Sequence, residues 1–430
     1  MALLIKNGII IDPLNKVDGK KADLLVEGNV ITKVGENLKA EGAEIYDAAG
    51  KYVCPGFLDM HCHLREPGSE GKEKISTGTR SAAVGGFTSV ACMPNTNPVI
   101  DTVLGVRFIQ MLAEKEGVVN VYPIAAITKK QAGEELTEIG DLVEEGVVAV
   151  SDDGVSVMNA ELMRNALEYC KMFNIPIIQH PEDKNLSEGG TINEGYVSTL
   201  TGLKGIPSIA EEIIIARDIL IAKYTKARLH LTHISTKGSV ELIRQGKKDG
   251  VNVTCDCTGH HFTLTEEKLK TFDSNYKINP PLRTAEDVEA LIAGLADGTI
   301  DAIASDHAPH TIFEKEQEFD YAPFGIIGFE TLVPLTFTQL VNKGKITPYQ
   351  AVEKFTKNPY FILNIKNDGL KEGAVADITV VDPNLEFILK KEEIVSKSCN
   401  TPFIGTKFKG AAVLTVVAGK VVMKDRKVLL

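Results

Sequence analysis

No apolar run in the sequence approaches the roughly 18–20 residues a helix needs to cross a bilayer, and no dense lysine or arginine tract is present. Basic residues number 47 against 58 acidic ones, a formal charge of −11, so nucleic acid and anionic lipid are poor default partners. Cysteine is sparse, seven in 430 residues with no C-x2-C pair, which argues against a disulfide framework. No G-x-G-x-x-G follows the first barrel-type strand and no G-x-x-x-x-G-K-[ST] occurs, so nothing marks a dinucleotide or nucleoside-triphosphate site. Low-complexity segments are absent as well. The opening Met1–Gly8 carries its one charge after its apolar residues and has no signal-like core. Together these features read as a reduced, cytoplasmic protein, with the sequons at Asn185 and Asn252 as chance matches.

What is there is ordinary globular material: 43% hydrophobic and 24% charged residues. The two ends share one texture. Leu3 to Ile11, Asp23 to Val34 and Ala43 to Asp47 alternate β-rich runs with Gly and Asp turns, and the same pattern returns at Ala376 to Asp382 and Val413 to Val422. Between them short apolar strands begin near Phe57, Phe87, Asn120, Val147, Pro176, Arg228, Asn252 and Ala302, each followed by a helix-length segment. Expected helices include Asp101 to Glu116, Asn159 to Asn174, Ser208 to Tyr224 and Thr284 to Asp297, with Ser208 and Thr284 as N-caps backed by Glu211 and Asp287.

Eight βα units in series favour a closed (β/α)8 TIM-type barrel over an open doubly wound sheet. The expected division is residues 1–51 and 366–430 as the two parts of a smaller composite β-sandwich domain, with residues 52–365 as the barrel.

His61 and His63, at the end of the first barrel strand, are two apart, which in a strand puts both imidazoles on one face and Cys62 on the other. That spacing alone suits half a zinc site and a pair of polar strand-end histidines equally well. The other strand ends shift the balance. His180 ends the fifth strand, His233 the sixth and Asp306 the eighth, and Asp152-Asp153 ends the fourth. In a barrel these ends meet at one mouth, where barrel enzymes keep their active sites. Three or four histidines with carboxylates suit one or two zinc ions, which make water a nucleophile near neutral pH for amide or ester hydrolysis without an organic cofactor.

These residues resemble the cyclic amidohydrolase family, and within it the bacterial type I dihydroorotases. The resemblance runs along essentially the whole chain and is carried by Asp59-Met60-His61-Cys62-His63-Leu64-Arg65-Glu66-Pro67-Gly68, by Met93-Pro94-Asn95-Thr96-Asn97-Pro98, by Ile278-Asn279-Pro280-Pro281-Leu282-Arg283, and by Ala304-Ser305-Asp306-His307-Ala308-Pro309-His310 with Lys315 beyond.

The resemblance implies that His61, His63 and Asp306 hold one metal, that His180 and His233 hold a second, and that Asp153 bridges them in place of the carbamylated lysine many relatives use. It implies reversible hydrolysis of dihydroorotate to N-carbamoyl-L-aspartate in pyrimidine biosynthesis, with Asp306 as general acid/base. It gives the substrate carboxylate to Arg65, Asn95 and His310, the polar edge of the ring to Asn279, and the rest of the pocket to backbone at Phe324 and Gly325, with His63 also facing the substrate. A homodimer and a complex with aspartate transcarbamoylase are further implications.

Other candidates are read more plainly. His230 and His307 sit off the register of their neighbouring ligands and read as core, as do Cys54, Cys92, Cys255 and Cys257. His260 and His261 fit loop packing, and Glu314 to Asp320 a solvated connection. Two other functions remain to be separated from dihydroorotase: an allantoinase or dihydropyrimidinase acting on an uncharged ring, and a metal-free assembly subunit for aspartate transcarbamoylase.

Overall fold

A computed structural model describes residues 2–429 of the chain. The β-rich opening forms β1 (Ala2–Asp12), β2 (Val17–Glu27) and β3 (Val30–Gly35), an antiparallel meander, with β4 (Glu44–Asp47) and β5 (Tyr52–Pro55) parallel to β1. Pairing in this sheet therefore carries past residue 51, to Pro55.

The chain then enters β6 (Phe57–Cys62), β7 (Phe87–Cys92) and β8 (Asn120–Pro123), a parallel arc. A second parallel arc holds β9 (Ile177–Gln179), β12 (Leu229–Leu231), β13 (Val253–Thr258) and β14 (Ala302–Ala304), with the short pair β10 (Ile192–Asn193) and β11 (Gly205–Ile206) set apart from it. The fourth strand expected from Val147 is reduced to a single bridging residue. Val150 bonds across to Ala125 on one side and Ile177 on the other, and Cys62 pairs with His307, so these contacts close the two arcs into a barrel. Residues 147–149 lie outside the ladder although Val147 and Ala149 are buried.

After the barrel come β15 (Ile378–Ile388), β16 (Lys407–Val417), β17 (Lys420–Lys424) and β18 (Lys427–Val428). β15 pairs antiparallel with β5, which joins both ends of the chain in one nine-stranded sheet. Leu3, Ile5, Leu24 and Val26 from the start of the chain pack with Val380 and Leu414 from its end, the core of the β-sandwich beside the barrel.

The barrel core is separate. Phe57 stacks on Phe355 at 5.2 Å and meets Phe87 edge-on at 6.4 Å. The helices Val103–Glu116, Ala160–Met172 and Ala285–Asp297 start at Thr102, Asn159 and Thr284, each side chain accepting a backbone N–H, and Thr284 forms the expected capping box with Asp287. Ser208 departs from expectation. It is itself helical and makes no capping bond, because Glu211 turns inward to accept from Ser235 N, Thr236 N and Ser239 Oγ. Among the described residues no helix is long and apolar enough to cross a membrane.

Candidate active site

His61 sits inside β6, while the other polar residues leave their short strands within one to three positions and turn toward a common centre. His233 and Asp306, each two residues beyond its strand, have positive φ of 38° and 43°. Such backbone costs about 1–3 kcal/mol per residue and persists where the surroundings fix it, which is typical of a functional centre.

Asp153 lies at the middle of the cluster. Its Oδ1 is 3.5 Å from His61 Nε2, from His180 Nδ1 and from His233 Nε2, and its Oδ2 is 3.6 Å from His63 Nε2. Asp306 Oδ1 lies 3.1 Å from His63 Nε2 and 3.6 Å from His61 Nε2. Asp152, its neighbour in sequence, turns away and accepts from Ile127 N and Thr128 N.

The donor set fits a metal. His61 Nε2 and Asp153 Oδ1 face each other, are both buried, and have no hydrogen-bond partner in the protein. Buried polar atoms without partners are rare and call for an ion or a water. Two groups each bring three donor atoms within 4.8 Å of one another, His61 with Asp153 and His233, and His61 with His63 and Asp306. Nitrogen and carboxylate oxygen suit zinc and related cations. Charge agrees. Burial would pull His61 down, but Asp153 and Asp306 outweigh it and push the ring up to about 9, while burial is outweighed in the opposite sense at Asp306, whose carboxyl is held well below the usual range by His63 and His61. Two carboxylates in so dry a place favour positive charge beside them.

A second layer of residues sets which ring nitrogen faces the centre, and sequence reading missed most of it. His61 Nδ1 bonds Thr232 Oγ1 at 2.6 Å, and Thr232 donates to Asp256 Oδ2 at 3.0 Å. Asp256 also accepts from His233 N and bonds His230 Nε2. His230 is therefore core, as expected, and braces the acid that supports two of the candidate ligands. His63 Nδ1 bonds Asn95 Oδ1 at 2.9 Å, and His180 Nε2 bonds Glu182 Oε2 at 2.8 Å. Asp59 accepts from Ser305 N at 2.9 Å, tying β6 to the turn that carries Asp306. The available signal for Asp256 was an acid at the centre of an apolar strand, between two thiols.

A cavity of about 350 Å³ opens above the cluster. His63, Arg65, Asn95, Asp153, His180, His233, Asn279, Asp306, His310, Phe324 and Gly325 all line it, and His61 lies beneath. Arg65, at φ 61°, donates Nε–H to Pro309 O and approaches His310 Nε2 at 3.3 Å. Burial, with Arg65, Lys72 and Lys315 nearby, lowers His310 to about 2, so its ring is neutral. Asn279 donates to Glu182 at 2.9 Å. His261 is engaged by Thr258 and Pro280, and His260, lowered by burial to about 4, packs on it. The acidic connection is pinned: Lys277 Nζ donates to Phe319 O and Asp320 O, and Lys315 Nζ to Pro323 O and Gly325 O.

Known proteins resemble this chain along its whole length. A family model described as "Dihydro-orotase-like" matches residues 50–239. A protein of Pelotomaculum thermopropionicum named "Dihydroorotase" is 54% identical over 427 residues, covering 99% of each chain. One of Acetivibrio thermocellus with the same name is 53% identical over 427 residues, covering 99% of this chain and 100% of its own. Among solved structures, the L-hydantoinase (dihydropyrimidinase) of Arthrobacter aurescens superposes with a TM-score of 0.89 at 25% identity, over 100% of this chain and 97% of that one. A D-hydantoinase (dihydropyrimidinase) of Thermus sp. gives 0.83 at 26% identity, over 99% and 96%.

Proposed function

The chain belongs to the dihydroorotase family of metal-dependent cyclic amidohydrolases, and on that premise we propose that it opens and closes the ring of dihydroorotate, interconverting it with N-carbamoyl-L-aspartate. The observation that carries this reading is Arg65 beside neutral His310 at the rim of the cavity, next to the buried His and Asp cluster. A ring carrying a carboxylate needs such a cationic partner, and an uncharged ring does not. The hydantoinase and dihydropyrimidinase neighbours share the fold, so the choice among cyclic amides rests on this rim.

The metal is read as zinc, one or two ions, with His61, His63 and Asp306 as one ligand set, His180 and His233 as the other, and Asp153 shared between them. Bound there, a divalent cation would supply a polarised ring carbonyl and a water acidic enough to attack near neutral pH. The chain's own residues do the rest. Arg65, Asn95 and His310 grip the carboxylate, Asn279 holds the polar edge of the ring, and backbone at Phe324 and Gly325 closes the pocket. Asp306, ionised in the free protein, takes the proton of the attacking water and returns it to the departing ring nitrogen. In the ring-closing direction the same carboxylate removes the proton from the attacking nitrogen. We further propose that residues 52–365 carry this site, apart from β5, which joins residues 1–51 and 366–430 in the accompanying domain.

The test is turnover of dihydroorotate, dihydrouracil, hydantoin and allantoin side by side by metal-loaded protein. Activity confined to dihydroorotate supports the proposal, and turnover of only the other three removes it.

A further inference from the structure

The side chain nearest to governing the carboxylate rim does not face the cavity. Asn400 lies in the segment between β15 and β16 and is 4% exposed. Its amide commits every side-chain bond to the backbone of rim residues. Oδ1 accepts the N–H of His310 at 3.1 Å, and Nδ2 donates to Ala308 O at 3.0 Å and to Gly325 O at 3.1 Å. Its own backbone carbonyl accepts the N–H of Ile327 at 3.0 Å.

These contacts bracket the pieces that matter. Between Ala308 and His310 lies Pro309, whose carbonyl receives the Arg65 guanidinium. Gly325 has φ 121°, and a Cβ there would sit 2.7 Å from Ala308 Cβ, so the turn at Gly325 and the run at 308–310 are already packed as closely as backbone allows. One amide thus ties together His310 and Gly325 directly and Arg65 through Pro309, with Lys315 Nζ sharing Gly325 O. The segment bearing it is fixed in turn: Ser396 N bonds Glu330 at 3.0 Å and Ser398 Oγ bonds Lys72 O at 2.6 Å.

We infer that Asn400 is the positioning residue of the substrate-carboxylate rim, holding Arg65, His310 and Gly325 in register from a segment that contributes no group to the cavity. This role presupposes that the rim is a carboxylate site. It assigns part of the substrate preference to the C-terminal part of the chain. An amide is the group required, since the two carbonyls need a donor and the His310 N–H needs an acceptor. A carboxylate of the same shape keeps the acceptor and loses both donors.

Full-length metal-loaded protein, Asn400→Asp and Asn400→Ala are compared for binding of orotate and of uracil, rings that differ by the carboxylate, and for KM and kcat on dihydroorotate. The expected result is a roughly tenfold loss of orotate affinity and a matching rise in KM, the size of about one lost hydrogen bond. Uracil affinity, kcat and metal content should hold within about twofold. Equal losses for both rings, or a fall in kcat with lost metal, overturn the positioning role in favour of a structural one. If Asn400→Ala does not fold, Asn400→Asp, which preserves volume, decides alone. Wild-type protein that binds orotate no better than uracil overturns the carboxylate reading itself, an outcome distinct from a variant that leaves the preference intact.

Discussion

His61 and Thr232 share a hydrogen bond of 2.6 Å between ring Nδ1 and Oγ1, and this bond leaves Nε2 as the nitrogen that faces Asp153 and Asp306. Thr232 is held by Asp256 in turn. Supports of this kind are worth about 10–100-fold in metal affinity. Thr232→Val should therefore weaken metal binding by at least about tenfold, measured by competition with a chelator, while Thr232→Ser stays near wild type.

Removing the metal should abolish turnover, and zinc should restore it. Asp153 touches both halves of the cluster, so Asp153→Ala should lower the metal bound per chain, read by elemental analysis. Because a ligand that binds only the folded state stabilises it, metal removal should also lower Tm, and the shift should shrink in Asp153→Ala.

The Arg65 side chain is half-buried at the rim and fixed to Pro309 O. Truncating one partner of a buried charge pair costs about 2–5 kcal/mol. Arg65→Ala should lose that much in kcat/KM for dihydroorotate, and Arg65→Lys should recover only part, since a single ammonium does not reproduce the planar fork.

His310 has an acid-side signature. Burial first, and then Arg65, Lys72 and Lys315, bring its ring from 6.5 down to about 2. Below pH 6.5 the unfolded chain takes up a proton that the folded chain refuses, so this group's contribution to stability is complete above pH 6.5 and is lost as pH falls toward 2. Denaturation between about pH 7 and 4 should show a shallower slope in His310→Asn than in wild type. NMR of the His310 ring should show no titration between about pH 5 and 9.

Phe57 stands between Phe87 and Phe355 with no exposed surface. Phe57→Ala should cost about 3–5 kcal/mol of stability, seen as a lower denaturant midpoint, with the metal cluster intact in the protein that remains folded.

The candidate ligands were legible because histidine and aspartate at strand ends are unusual and recur with the βα spacing. His61 and His63 share a face, as alternation requires, while Cys62 Sγ turns to Ala91 O. Alternation did not choose between Asp152 and Asp153, since the fourth strand is one bridging residue and imposes no pleat on the residues after it. The supports were hidden for a different reason. Thr232, Glu182 and Asp256 are ordinary residues whose task is set by a partner dozens of positions away, or, for Glu182, by the turn that brings it back on His180. Glu211 looked like a capping residue because it has the right offset from Ser208, and tertiary bonds to Ser235 and Ser239 outcompete the local one. The β texture of both ends was visible, but the pairing of β5 with β15 was not, because strand propensity names no partner.

That pairing also sets a schedule. Translation runs at about 5–20 residues per second, and the whole barrel is made between Pro55 and Ile378. One edge of β5 thus leaves the ribosome roughly half a minute before its partner exists, a bare row of backbone donors and acceptors of the kind that recruits foreign strands. In a newborn chain the hazard is one of timing: the barrel must be completed before the edge beside it can be covered.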